Sequence, residues 1–279
     1  MHGVLMLALG LVAPVEASVR SRDGVEIRYH AEGRGEPAVV LVHCWTGDRR
    51  DWSAQLPRLV REKQVVALDL AGHGESGGRR ERWSIEAFAD DVIAVVDALA
   101  LRRFVLVGHS MGGQITLAAA LKLRDRVVGL IPVDTLQDVE EKMSPEQIDE
   151  FLAPFDKDYA MQAEGFVRNY HFAPGSPPAV IEKVVARARA APKGMAIAAI
   201  RAAWSYDAAQ GFDAVEAPIH AINGERFPTN LEANRRHAPQ YQLTLIPGVG
   251  HYPMLEAPER FGDLLEATLR AVLAAAPRR

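Results

Sequence analysis

A serine stands between two glycines in Gly108-His109-Ser110-Met111-Gly112, where the apolar run Phe104-Val105-Leu106-Val107 gives way to a second apolar stretch, Ile115 to Leu123. The pattern G-x-S-x-G at the join of a buried strand and a helix predicts a sharp turn that lifts the serine hydroxyl clear of the sheet. The helix N-terminus behind it favours negative charge developing on a substrate. A serine hydroxyl attacks only when a neighbouring base takes its proton, so a histidine is required. His251, in Gly248-Val249-Gly250-His251-Tyr252-Pro253, follows the last apolar run and precedes the final helix, which makes it the candidate base. His2, His30, His171, His220 and His237 are isolated and read as surface or core polar groups, while His43, His73 and His109 belong to loop motifs. No histidine pair has metal-ligand spacing, and the chemistry read here calls for neither metal nor cofactor.

These groups need a scaffold that brings chain ends together. Val39-Val40-Leu41-Val42, Val65-Val66-Ala67-Leu68, Phe104 to Val107 and Val127 to Val133 are short continuous apolar runs, as expected of strands buried on both faces. Ser84 precedes apolar positions Ile85, Phe88, Val92, Val95, Val96 and Leu99 at helical spacing. Strands alternating with helices imply an α/β architecture with a mostly parallel sheet. Val19, the Asp23-Gly24 turn and the alternation Val25, Ile27, Tyr29 predict an antiparallel hairpin at the N-terminal edge. The rhythm stops after Asp134. Residues 135–217 show helical patterns and no strand, starting with the capping box Ser144-Pro145-Glu146-Gln147, and Ser176-Pro177 is expected to open a further helix in the same way. The sheet resumes with Ile219 to Ile222 and Leu243 to Ile246, and Phe261 to Ala275 forms a closing amphipathic helix. The reading is a core of residues 18–134 and 218–279 with a helical cap at 135–217.

Composition narrows the function. The chain has 279 residues, 48% hydrophobic, with a formal charge of −4. Its arginine pairs, Arg49-Arg50 and Arg79-Arg80, are scattered and read as solvated surface, so nucleic acid is not an expected partner. Cys44 is the only cysteine, which rules out an internal disulfide. Val4 to Val15 is apolar and leads into Val15-Glu16-Ala17, a small-residue cleavage pattern, so residues 1–17 read as a signal peptide and the protein as exported, periplasmic or secreted. The positive charge expected ahead of such a segment is missing from Met1-His2-Gly3, and a cytoplasmic protein with a packed N-terminal arm is the alternative. The run is too short for a stable membrane span, which needs roughly 20 apolar residues.

Four blocks together resemble the α/β-hydrolase superfamily, in its capped serine-hydrolase, esterase-like branch, over nearly everything after Ser18. They are His43-Cys44-Trp45, Asp69-Leu70-Ala71-Gly72-His73-Gly74-Glu75-Ser76, the Ser110 turn, and Gly250-His251-Tyr252-Pro253-Met254-Leu255-Glu256-Ala257-Pro258-Glu259. The resemblance implies an oxyanion hole from the backbone N–H groups of Met111 and Trp45. Cys44 stands where the family usually has glycine, and its side chain is expected to narrow the acyl pocket. The family's usual acid, an aspartate in a G-x-x-D loop, is absent: the loop reads Gly224-Glu225-Arg226-Phe227, and no aspartate lies between Asp213 and Asp263. Asp134, at the end of the strand after the Ser110 helix, is the preferred acid because some members supply it from there. Glu225 is the alternative, and a Ser–His dyad without an acid is the third. Serine at the turn separates this chain from dehalogenases and epoxide hydrolases of the same fold, which use aspartate.

The expected reaction is hydrolysis of a small carboxylic ester through an acyl-enzyme. Carbon–carbon, lactone, amide or peroxyacid chemistry on the same triad is the alternative, and a non-catalytic ligand-binding member is the third reading. Phe151, Phe155, Phe166, Tyr170, Phe172, Met195 and Trp204 of the cap are candidates for substrate contact, with packing inside the cap the more ordinary role.

Overall fold

The computed structural model describes residues 14–277. Eight strands form one sheet: β1 (Val15–Arg20), β2 (Glu26–Glu32), β3 (Ala38–Val42), β4 (Val65–Leu68), β5 (Phe104–His109), β6 (Val127–Val133), β7 (His220–Gly224) and β8 (Gln242–Ile246). Their spatial order is β1-β2-β4-β3-β5-β6-β7-β8. β1 and β2 form the expected hairpin, and β2 is antiparallel to β4; from β4 to β8 all pairings are parallel. Every residue of β3, β4, β5 and β6 is buried, which is why these strands read as unbroken apolar runs rather than alternating ones.

Outside the inserted stretch the helices are α1 (Leu56–Leu59), α2 (Ile85–Ala98), α3 (Met111–Leu123), α9 (Leu231–His237), α10 (Pro253–Glu256) and α11 (Pro258–Ala275). Ser84 caps α2 as its sequence suggests, its hydroxyl accepting the Ala87 N–H at 3.1 Å. Between β6 and β7 come α4 (Pro145–Lys157), α5 (Tyr159–Tyr170), α6 (Pro178–Ala190), α7 (Lys193–Trp204) and α8 (Ala208–Ala214). The capping box of α4 is formed, with both reciprocal bonds between Ser144 and Gln147 present. Ser176 departs from expectation. The N-cap of α6 is Pro177, and the Ser176 hydroxyl instead accepts from Ala173 N–H and donates to the Glu256 carboxylate, so it works between the inserted helices and the core.

The two arginine pairs also differ from a solvated surface. Arg49 is buried and ion-paired with the fully buried Asp69, and the Arg80 side chain is 1% exposed between Asp23 and Asp91. Only Arg50 and Arg79 face solvent. Of the segment read as a signal peptide, residues 1–13 lie outside the described residues. Val15, Glu16 and Ala17, the expected cleavage pattern, form the first half of β1, where Glu16 meets His30 and Arg49. Among the described residues, no helix is long and apolar enough to cross a membrane.

Candidate active site

Ser110 sits between β5 and α3 at φ 54° and ψ −121°, a sparsely populated conformation for a residue with a side chain that stores about 1–3 kcal/mol. The sequence pays for it through its glycines. A Cβ on Gly108 would collide with the Gly112 carbonyl, and one on Gly112 would stand 2.6 Å from the Val42 carbonyl oxygen and 2.7 Å from that of His43. Only bare backbone lets α3 start so close to β3. The turn is pinned by Ser110 N–H donating to Val133 O at 3.0 Å and Gly113 N–H donating to Ser110 O at 2.8 Å. The Ser110 hydroxyl makes no capping bond to α3, so it is not consumed by its own helix, and Met111 presents the first N–H of that helix.

Asp134 follows β6, the neighbour of β5, and is 2% exposed. It takes φ 44°, and its N–H bonds to Ile222 O of β7 at 2.9 Å. Its two carboxylate oxygens have distinct partners. Oδ2 receives His251 Nδ1 at 2.5 Å, and Oδ1 receives the Gly224 N–H at 2.8 Å. With Nδ1 donating to the carboxylate, His251 Nε2 is left with a lone pair, the form in which an imidazole takes a proton. Glu225 is exposed and makes no bond to His251, so of the two candidate acids the fold brings only Asp134 to the imidazole. The loop that usually carries the acid in the family contributes its Gly224 N–H to Asp134 instead.

His251 is held on several sides. His109, the residue before Ser110, packs its ring 4.8 Å from the His251 ring and donates Nε2–H to the His251 carbonyl at 2.6 Å, which ties the serine turn to the histidine loop. His171, at the end of α5, packs its ring 4.6 Å from that of His251, and its carbonyl accepts the His251 N–H at 2.5 Å. Burial holds both flanking imidazoles well below the usual histidine range, so they are neutral neighbours. Glu256 accepts the N–H groups of Gly250 and Tyr252, each at 2.9 Å, as well as the Ser176 hydroxyl. Arg226, just after β7, donates to the carbonyls of Asn169 and Tyr170 and so secures the end of α5 beside His171.

Trp45 is buried on the loop after β3, its indole N–H donating to Ala196 O of α7 at 2.8 Å. Cys44 is 1% exposed, its thiol directed at Trp45 O and the Tyr252 hydroxyl, and burial pushes it up to about 12. The thiol is therefore held between the backbone of its own loop and the Tyr252 hydroxyl. Of the cap side chains singled out, Phe155, Phe172 and Met195 are buried, Tyr170 is 50% exposed, and Phe151, Phe166 and Trp204 are partly buried. These last three form an edge-to-face cluster, with Phe151 4.6 Å from Trp204 and 5.5 Å from Phe166. Phe166 also meets Trp45 at 5.9 Å and His171 at 4.9 Å, so one aromatic wall runs from the loop of Trp45 to the histidine site.

His171 was read as an isolated polar group, and nothing local marks it: its place depends on where α5 ends over a loop 80 residues further along the chain. Glu256 lay within a recognised block, yet its use as a double acceptor for backbone N–H groups follows only from the folded loop.

The pattern of the alpha/beta hydrolase family matches residues 39–264. Among solved structures, a thermophilic esterase from Thermogutta terrifontis is 32% identical, over 92% of this chain and 99% of that one, with a TM-score of 0.80. Est816, an N-acyl homoserine lactone degrading enzyme, is 28% identical over 90% of this chain and 99% of that one, with a TM-score of 0.78. The dihydrolipoyllysine-residue acetyltransferase component of the acetoin cleaving system of Pseudomonas putida is 40% identical over 98 residues, 35% of this chain. That match spans about a quarter of the relative, 26% of its length. With four fifths of its length matched by one family pattern and an esterase similar from end to end, this chain belongs to the alpha/beta hydrolase family and has hydrolase relatives.

Proposed function

We propose that the protein hydrolyses a small carboxylic ester through an acyl-enzyme, with Ser110 as nucleophile, His251 as general base and then acid, and Asp134 as the acid that orients it. The observation that carries this is the Asp134 carboxylate 2.5 Å from His251 Nδ1, on a loop joined to the serine turn through His109. His251 Nε2 takes the Ser110 proton as the oxygen attacks the acyl carbon. The resulting oxyanion is received by the N–H groups of Met111 and Trp45, and a donor of this kind is worth about 2.7–4 kcal/mol. His251 then passes its proton to the leaving alkoxide, and a water activated by the same imidazole releases the acid. The aromatic wall of Phe151, Phe166 and Trp204 suits an apolar group on the substrate. Similarity to the Thermogutta esterase supports an ester; similarity to Est816 favours a second reading, a lactone, which the same steps would open. A non-catalytic binding role has only the absence of the usual acid in its favour, and the Asp134 carboxylate beside His251 weighs against it.

The test is a fluorophosphonate probe and a panel of p-nitrophenyl esters, γ-lactones, amides and carbon–carbon substrates, each run against Ser110→Ala. Ser110-dependent labelling with ester turnover is expected. Labelling that survives Ser110→Ala, or saturable binding without turnover of any substrate, would overturn the assignment.

A further inference from the structure

The loop that presents the Trp45 N–H is held from the cap as well as from within. Thr46 takes φ 55°, left-handed backbone that a residue with a branched side chain adopts only when its surroundings impose it. Within the loop, Gly47 N–H closes a turn onto Cys44 O at 2.9 Å. Two groups lie under that turn: the His43 ring, whose Nδ1–H donates to Cys44 O at 2.8 Å, and Asp51, whose carboxylate sits so near Gly47 that an added Cβ there would be 3.1 Å from Asp51 Oδ2. Asp51 is 1% exposed, and its partner comes from the cap. Arg187 of α6 donates to Asp51 Oδ1 at 2.7 Å and Oδ2 at 2.8 Å, with Asp48 Oδ2 a further 3.4 Å contact. A second tie from the cap, Ala196 O, receives the Trp45 indole at 2.8 Å.

We propose that Arg187 is a positioning residue for the oxyanion hole: by clamping Asp51 beneath the 44–47 turn, the cap holds the Trp45 N–H in its working direction. The inference rests on the hydrolytic reading above. Geometry rather than charge is its currency, because Arg187 and Arg50 are balanced by Asp48 and Asp51 and the group as a whole is neutral. A two-pronged guanidinium fixes both oxygens of Asp51, which a lysine ammonium cannot reproduce. Were the pair merely structural, its loss would lower stability and leave the rate per folded molecule unchanged.

The variants are Arg187→Met, Arg187→Lys and the double variant Arg187→Met with Asp51→Asn, which removes the unpaired buried charge that the single change leaves. Three quantities are read: kcat and KM on the best ester, melting temperature, and amide hydrogen exchange over residues 43–52. Arg187→Met is expected to lose at least about 30-fold in kcat with KM within about twofold, short of the roughly 10²–10³-fold lost when an oxyanion donor is deleted outright. Arg187→Lys should fall between it and the parent. The double variant should regain melting temperature but not kcat, and its 43–52 amides should still exchange faster than the parent's. If Arg187→Met does not fold, the double variant and Arg187→Lys carry the test. A kcat within about threefold of the parent in Arg187→Met, or a double variant that recovers kcat along with stability, overturns the proposal. An inactive parent protein counts against the hydrolytic reading alone, and unchanged 43–52 exchange in the variants then overturns this one separately.

Discussion

Replacing Asp134 with asparagine probes the site with little change of shape. Asparagine keeps an oxygen for the Gly224 N–H, now met at 2.8 Å, but turns an NH2 toward His251 Nδ1, which stands 2.5 Å from the present carboxylate oxygen. Two donors cannot face each other in a pocket where Asp134 is 2% exposed, so the imidazole must shift its proton to Nε2. That leaves no lone pair for the Ser110 proton. A wrong-tautomer change of this kind lowers kcat by about 10⁴-fold, or about 5.4 kcal/mol at 1.36 kcal/mol per decade. The assay is initial-rate hydrolysis of a p-nitrophenyl ester at saturating substrate, alongside a thermal melt to show that the variant is folded. Glu225→Gln, at an exposed position, is the control and should leave kcat within twofold. A folded Asp134→Asn that keeps more than a tenth of the parent kcat, or a larger loss in Glu225→Gln, would refute the assignment of the acid.

Further expectations follow from burial and capping. Cys44, buried and pushed up to about 12, should resist N-ethylmaleimide at pH 8 in the folded protein and react promptly in guanidinium; fast labelling of native protein would contradict its placement. Burial lowers His73 from 6.5 to about 3, so the unfolded chain binds the extra proton as pH falls below about 6.5. Stability present at neutral pH should therefore be lost in acid, by about 2 kcal/mol at pH 5 from this residue, and denaturant melts of His73→Gln should show a shallower decline between pH 7 and 5. Glu256→Gln, which weakens acceptance from Gly250 and Tyr252 N–H, is expected to lower kcat about 10-fold or more with unchanged fluorophosphonate specificity for Ser110, and an unaltered kcat would show that the loop holds itself. Ser84→Ala removes the α2 cap and should reduce stability by about 1 kcal/mol in a urea titration without altering kcat.

What could be read from the chain was whatever is written locally. The buried strands, the Ser110 turn and the His251 loop each carry their pattern within about ten residues, and the folded positions follow those patterns. Asp134 is marked in the sequence only by the resemblance and by the lack of an aspartate in the usual loop, since nothing near it announces a partner 117 residues away. The burial of Arg49 and Arg80 is hidden for a related reason: adjacent arginines look like surface, and the carboxylates of Asp69 and Asp91 that make their burial tolerable lie on other elements. Ser176 carried the local signature of a helix cap, yet Glu256 offered its hydroxyl a charged acceptor, and the tertiary contact won. The placements of His171 and Arg187 are consequences of how the cap settles on the core, which no periodicity encodes.

The loop after β7 has exchanged one duty for another. It supplies no carboxylate to the imidazole; its Gly224 N–H meets Asp134 Oδ1, while its Arg226 fastens the end of α5 next to His171. Mutation at Arg226 would thus loosen the end of α5, and through the His171 ring and carbonyl the change would reach His251. An exposed arginine on the loop after β7 is therefore a remote handle on how firmly the loop of His251 is held, reached through α5 rather than through Asp134.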